Sequence, residues 1–159
     1  MYKKSIFNIC QKMGISTLVT SGLILASSYA LAEIEYFSIA ENAVIMYDAP
    51  SLKADKLFVA SLYLPVEAVV NVEGWVKVRD SNGNLAWVEK KVLSEQRYVV
   101  VTAALADIYE TADVYSKLVF QAEENTVLEW LDSNTQGWVK VRHIDGQTGY
   151  VKVIQVWGS

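Results

Sequence analysis

The sequence carries one cysteine and one histidine in 159 residues. A single thiol cannot close an intramolecular disulfide or build a cysteine-based zinc site. One imidazole leaves His-rich metal sites and most acid/base machinery without parts. Basic residues are in the minority: 14 Lys and Arg stand against 18 Asp and Glu, a formal net charge of -4. Affinity for nucleic acid comes mostly from cations that neutralise phosphates, so this balance argues against a nucleic-acid partner. Also missing are a Gly-rich phosphate loop, a Gly-x-Ser-x-Gly elbow and a spaced carboxylate loop of the EF-hand kind. No cofactor or metal is implied. What the chain has in quantity is apolar side chains, 52% of the total, enough for one ordinary domain or two small ones.

Charge is absent altogether from residues 13–32, which follow a basic start at Lys3, Lys4 and Lys12. Residues 18–26 form a short apolar block, and Ala30 and Ala32 are small residues of the kind a signal peptidase accepts before Glu33. Residues 1–32 are therefore expected to be a signal peptide cut after Ala32. The alternative is an uncleaved anchor, since about 20 residues can span a bilayer as a helix, but Ser, Thr and Gly dilute this segment. Cleavage would leave no stable membrane insertion and a localisation outside the cytoplasm, periplasmic in a Gram-negative cell. It would also discard Cys10 and three lysines, leaving a thiol-free and more acidic chain whose stability rests on packing.

The remainder repeats itself. Gly74-Trp75-Val76-Lys77-Val78-Arg79 recurs unchanged as Gly137-Trp138-Val139-Lys140-Val141-Arg142. Further along, Gly83 meets Gly146, Trp87 meets Tyr150 and Val88 meets Val151, while Tyr36 and Tyr47 correspond to Tyr98 and Tyr109 one residue out of step. Two copies of one unit, residues 33–94 and 95–159, account for the pattern. Within each, Val76 and Val78 (or Val139 and Val141) alternate with Trp, Lys and Arg, so the valines face a core and the other three face outward. Asn82-Gly83 and Asp145-Gly146 then signal a hairpin in which two adjacent residues take positive φ. Further strands are expected at residues 36–39, 57–60, 66–72, 98–102, 118–121 and 127–131. Five short strands per copy suit a small all-β barrel. A unit of this size buries only about 60% of its unfolded surface. The junction at residues 89–96, without Pro or Gly, therefore points to two barrels packed together, with Trp130, Tyr63, Trp157 or Phe120 at the contact.

These residues carry a resemblance. The order Gly-Trp-Val-Lys-Val-Arg, Asn-Gly or Asp-Gly, then Ala86-Trp87-Val88 or Gly149-Tyr150-Val151, is similar to the bacterial Src-homology-3-like (SH3-like) domain of exported proteins. Tyr47-Asp48-Ala49-Pro50-Ser51 stands where that family has an Arg-Ser-Gly-Pro-Ser loop, with Tyr in place of Arg. The resemblance implies two tandem SH3-like barrels and a binding module, not an enzyme, of the kind that sits beside cell-wall hydrolases and docks peptidoglycan peptides or partner proteins.

The candidate binding residues follow from the outward faces. Trp75, Lys77, Arg79 and Trp87 in the first copy, and Trp138, Lys140, Arg142 and Tyr150 in the second, combine ring faces with cations that can hold a carboxylate. Tyr47 and Tyr109, placed on the preceding loops, would complete each groove. The competing reading is structural: the tryptophans cover a barrel seam or a protein interface, and the protein is a scaffold whose cations are a solvated strand face. A cell-wall hydrolase is a third alternative, requiring paired carboxylates from distant strands. His143 has Asp80 as its counterpart and sits by an exposed hairpin tip, so it is read as a surface residue without catalytic role.

Overall fold

A computed structural model describes residues 34–159, so the expected signal peptide and its Ala30 and Ala32 lie outside the described residues. The first barrel comprises β1 (Glu35–Ile39), β2 (Val44–Tyr47), β3 (Lys56–Ala60), β4 (Pro65–Val72), β5 (Trp75–Arg79), β6 (Leu85–Glu89) and β7 (Leu93–Ser94). The second comprises β8 (Tyr98–Val101), β9 (Leu105–Tyr109), β10 (Leu118–Glu123), β11 (Val127–Asp132), β12 (Trp138–Arg142), β13 (Thr148–Lys152) and β14 (Val156–Trp157). The strand orders are β3-β2-β6-β5-β4-β1-β7 and β10-β9-β13-β12-β11-β8-β14, the same path walked twice. Each copy thus has seven strands where five were expected. The extra ones are β2 and β9, interrupted or short apolar runs, and the two-residue β7 and β14, which add to the outer edge of β1 and β8.

The alternation read from the repeated motif sets the cores. Val76, Val78, Ala86 and Val88 are buried in the first barrel, and Val139, Val141 and Val151 in the second, each set joined by an isoleucine, Ile39 or Ile108. The hairpins depart from expectation. In β5–β6 the Gly83 N–H donates to the carbonyl of Asp80 at 3.0 Å, and that of Asp80 to Asn84 at 3.1 Å. Only Gly83 takes positive φ, at 84°. The turn is therefore a three-residue loop closed by a left-handed glycine. Asp80 stabilises it by accepting the backbone N–H groups of Asn82 and Asn84, each at 2.9 Å. The His143–Gln147 loop repeats this geometry, with Gly146 at φ 93°.

The barrels pack through aromatic groups. Tyr63 stacks on Tyr98 with ring centroids 4.5 Å apart, and Tyr36 meets Trp157 edge-on at 5.2 Å. The Arg97 guanidinium lies between the rings of Tyr36 and Trp130, at 5.2 and 5.1 Å, and donates through Nη2 to the Gly158 carbonyl at 2.7 Å. Burial pulls the Arg97 pKa below its ordinary value, and Tyr36 opposes the shift. Tyr63 and Trp157 thus stand at the expected contact, and Trp130, packed on its own core, reaches it only through Arg97. Phe120 does not: it packs on its own core and against His143, 5.5 Å from the imidazole, because the β12–β13 loop folds over it.

Candidate ligand-binding faces

Register builds one row of side chains on the outer surface of each barrel. Lys77 on β5 pairs with Trp87 on β6, and Trp87 with Tyr47 on β2. Trp75 lies two residues from Lys77 on the same face and meets Tyr47 edge-on, with centroids 5.6 Å apart. The Lys77 ammonium stands 6.0 Å from the Trp87 ring centre, a cation–π geometry. The second barrel reproduces the row: Lys140 pairs with Tyr150 and Tyr150 with Tyr109. Trp138 meets Tyr109 edge-on at 5.9 Å, and Lys140 stands 5.7 Å from the Tyr150 ring. Tyr47 and Tyr109 are the last residues of strands and not loop residues, because β2 and β9 extend to them before the chain turns.

The arginines go elsewhere. Arg79 lies beyond Lys77 toward the hairpin and pairs with Glu67 on β4 at 3.3 Å, and Arg142 pairs with Glu129 on β11 at 3.2 Å. Each face therefore unites a Tyr, a Trp, a third aromatic ring and a lysine, with the arginine held outside by a carboxylate. Neither lysine has a carboxylate partner among the described residues. Half-exposed ring faces beside an unpaired ammonium suit a ligand with an apolar or sugar surface and an acidic group.

The faces differ at their rims. Tyr47 is buried, and a groove of about 280 Å³ opens beside it between Ile45, Glu89 and Lys91. Tyr109 is half-buried and its hydroxyl donates to Asp107 at 3.3 Å; loss of hydration, then the Asp107 carboxylate, raises its pKa. At the sheet edge, Ile45 and the exposed Val59 of the first barrel are replaced by Asp107 and Gln121, joined by a 2.7 Å hydrogen bond. Sequence reasoning missed a cleft of about 440 Å³ between the barrels, lined by Tyr63, Tyr98, Arg142 and His143 among others. Its one sequence signal is the set of positions at which the two copies disagree. Among the described residues no group of three His, Cys, Asp or Glu side chains could hold a metal ion, and no helix is long and apolar enough to cross a membrane.

A twice-repeated barrel with an aromatic outer row defines a tandem of small β-barrel domains. Residues 40–95 and residues 104–153 each match a bacterial SH3 domain family, so the chain belongs to the bacterial SH3 domain proteins and carries two such domains in tandem. No curated protein matches it. Among solved structures it is similar to NlpC2 of Trichomonas vaginalis, with 17% identity, 80% of this chain and 49% of that chain covered, and a TM-score of 0.37. It is similar also to NlpC1 of the same organism (16% identity, 87% and 50% covered, TM-score 0.36) and to an NlpC/P60 family protein from Bacillus cereus (18%, 77% and 55%, 0.35). The chain spans about half the length of each.

Proposed function

We propose that this is an exported, periplasmic binding protein without enzymatic activity, whose aromatic faces recognise a peptide-bearing component of the cell envelope, either a peptidoglycan stem peptide or a partner protein. The observation that carries the reading is the recurrence of the Tyr–Trp edge contact with a lysine over the neighbouring ring, at the same register in both barrels, while the surrounding surface has diverged. Export rests on the basic, apolar and small-residue order of residues 1–32. Purified protein incubated with isolated sacculi is expected to sediment with them. Replacing Trp75 and Trp138 together by Ala is expected to abolish sedimentation while leaving the circular dichroism spectrum intact. No enrichment over a protein of similar charge would remove the peptidoglycan version and leave envelope proteins as the ligand.

A structural reading is favoured by one feature, the burial of Tyr47, which places the first row partly inside the barrel wall. On that reading the double Trp variant unfolds or loses an assembly partner before it loses any ligand.

A further inference from the structure

The cleft between the barrels is distinct from the outer faces and needs both copies. Leu62 and Tyr63 come from the first barrel, and the remaining lining comes from the second. Its size is that of a small-ligand site. The copies differ at most of the lining positions, and three of these differences shape the cleft. His143 stands where the first copy has Asp80, and Ile144 where it has Ser81. Tyr63 stands where the second copy has Asn125. Tyr63 and Asn125 share a left-handed backbone, φ 68° and 67°, and the same bond to a preceding strand carbonyl at 2.8 Å. Asn adopts that conformation readily; an aromatic residue does so against its backbone preference. Ile144 is 85% exposed at the loop tip, a position the fold fills with serine in the other copy.

The polar groups of the cleft are unevenly used. Its one carboxylate, Glu129, is committed on both oxygens, to Arg142 at 3.2 Å and to Gln96 at 3.1 Å. The Asp145 carboxylate just outside is likewise taken, by the backbone and side chain of Gln147 at 3.0 Å each. The donors are not exhausted. Arg142 bonds Glu129 through Nη1 alone, and His143 in its imidazolium form donates Nδ1–H to Asp145 at 3.0 Å, leaving the Nε2–H without a partner among the described residues. Spare N–H donors at one end and the ring of Tyr63 with Leu62 and Ile144 at the other describe an amphipathic acceptor ligand.

We propose that this cleft binds a small apolar carboxylate, an aliphatic or aromatic acid either free or as the C-terminal residue of a peptide, with its carboxylate on Arg142 and His143 and its body between Tyr63, Leu62 and Ile144. The same Arg79–Glu67 pair in the first barrel has Asp80 where the second has His143, so no imidazole N–H stands beside its guanidinium.

Amide-detected NMR titration of the purified protein with N-acetylphenylalanine, with its C-terminal amide, and with a capped tetrapeptide ending in free phenylalanine tests the site. Saturable shifts centred on Tyr63, His143 and Ile144 are expected with the acid, and binding at least about tenfold weaker with the amide. Response to the peptide alone identifies C-terminal recognition, and response to the free acid alone a small-acid site; either supports the cleft. His143→Asp combined with Ile144→Ser installs the residues the first copy folds with, and is expected to weaken binding at least about tenfold without lowering the melting temperature. Should that pair disturb the fold, Tyr63→Asn, the residue of the second copy, is expected to weaken binding alike. No saturable shift up to roughly 10 mM, equal binding of acid and amide, shifts confined to the Trp138 face, or full affinity in a folded variant would each overturn the proposal.

Discussion

In the second barrel Gly149 lies under Ile108; a Cβ built on it would come within 2.5 Å of the Ile108 Cγ2 and 2.7 Å of the Tyr109 carbonyl oxygen. In the first barrel the equivalent positions are Ala86 and Met46, both buried in the same core. The small residue grows by a methyl where its neighbour loses its β-branch, because an unbranched thioether bends away and an isoleucine cannot. One backbone path therefore accepts two packing solutions, and they are not interchangeable one residue at a time. The same contrast runs through Tyr63 and Asn125, and through Trp130 and Trp157, which occupy places held by Ala68 and Ser94 in the first copy. The backbone path keeps the repeat, while core packing and the inter-barrel contact each vary it.

The sharpest way to break the comparison is Gly149→Ala, expected to cost about 3 kcal/mol by overpacking. Adding Ile108→Met, the first copy's residue, should restore in a urea melt the part due to Ile108, leaving the contact with the Tyr109 carbonyl. Lack of rescue would mean that the two cores differ in backbone and not only in side chains. Next, Trp157→Ala removes the edge contact with Tyr36 and is expected to lower stability by about 2 kcal/mol. It should also split unfolding into two transitions seen by amide signals of each barrel; a single shared transition would show that Tyr63 and Tyr98 suffice for coupling.

A smaller effect is set by pH. The phenols of Tyr36 and Tyr98 have pKa values raised above 10.0, chiefly by burial, with Glu67 adding to the first and Tyr63 to the second. The folded state thus favours the neutral phenols. The stability they lend is complete below the ordinary tyrosine pKa and is lost as pH climbs from there through the folded values. An ultraviolet titration should show three late-ionising tyrosines, Tyr109 with the two at the interface, and in Trp157→Ala the Tyr36 step should move toward the ordinary value while the other two stay. The smallest changes are expected from Arg79→Ala and Arg142→Ala, each under about 1 kcal/mol because the pairs are half-exposed. A large difference between the two would show that the arginines do unequal structural work.

The fold was legible where the period is clean. Val76, Val78, Val139 and Val141 alternate without interruption, and the repeat carries each inference from one copy to the other. It was illegible where a strand is too short to show a period, as in the four-residue β2, whose Met46 and Tyr47 are both buried, so that Tyr47 was misplaced in a loop. The Tyr–Trp contacts of the outer rows were readable because motif and tyrosine recur together. The departure of Arg79 and Arg142 was not, since their partners Glu67 and Glu129 come from a different strand and no local spacing announces them. His143 was dismissed for lacking a counterpart in the first copy. That lack is also what marks the cleft, a feature assembled from both barrels that no single repeat encodes.

The contact of Tyr36 with Trp157, and that of Arg97 with Gly158, join points far apart along the chain. Contacts of such long sequence separation form late, after the local hairpins have closed. During folding the Tyr36 ring therefore stays without its Trp157 contact until β14 has joined the second barrel. The interface thus depends on β14: a chain interrupted before it leaves the Tyr36 ring without its Trp157 contact, an aromatic surface of the kind that proteases and chaperones recognise.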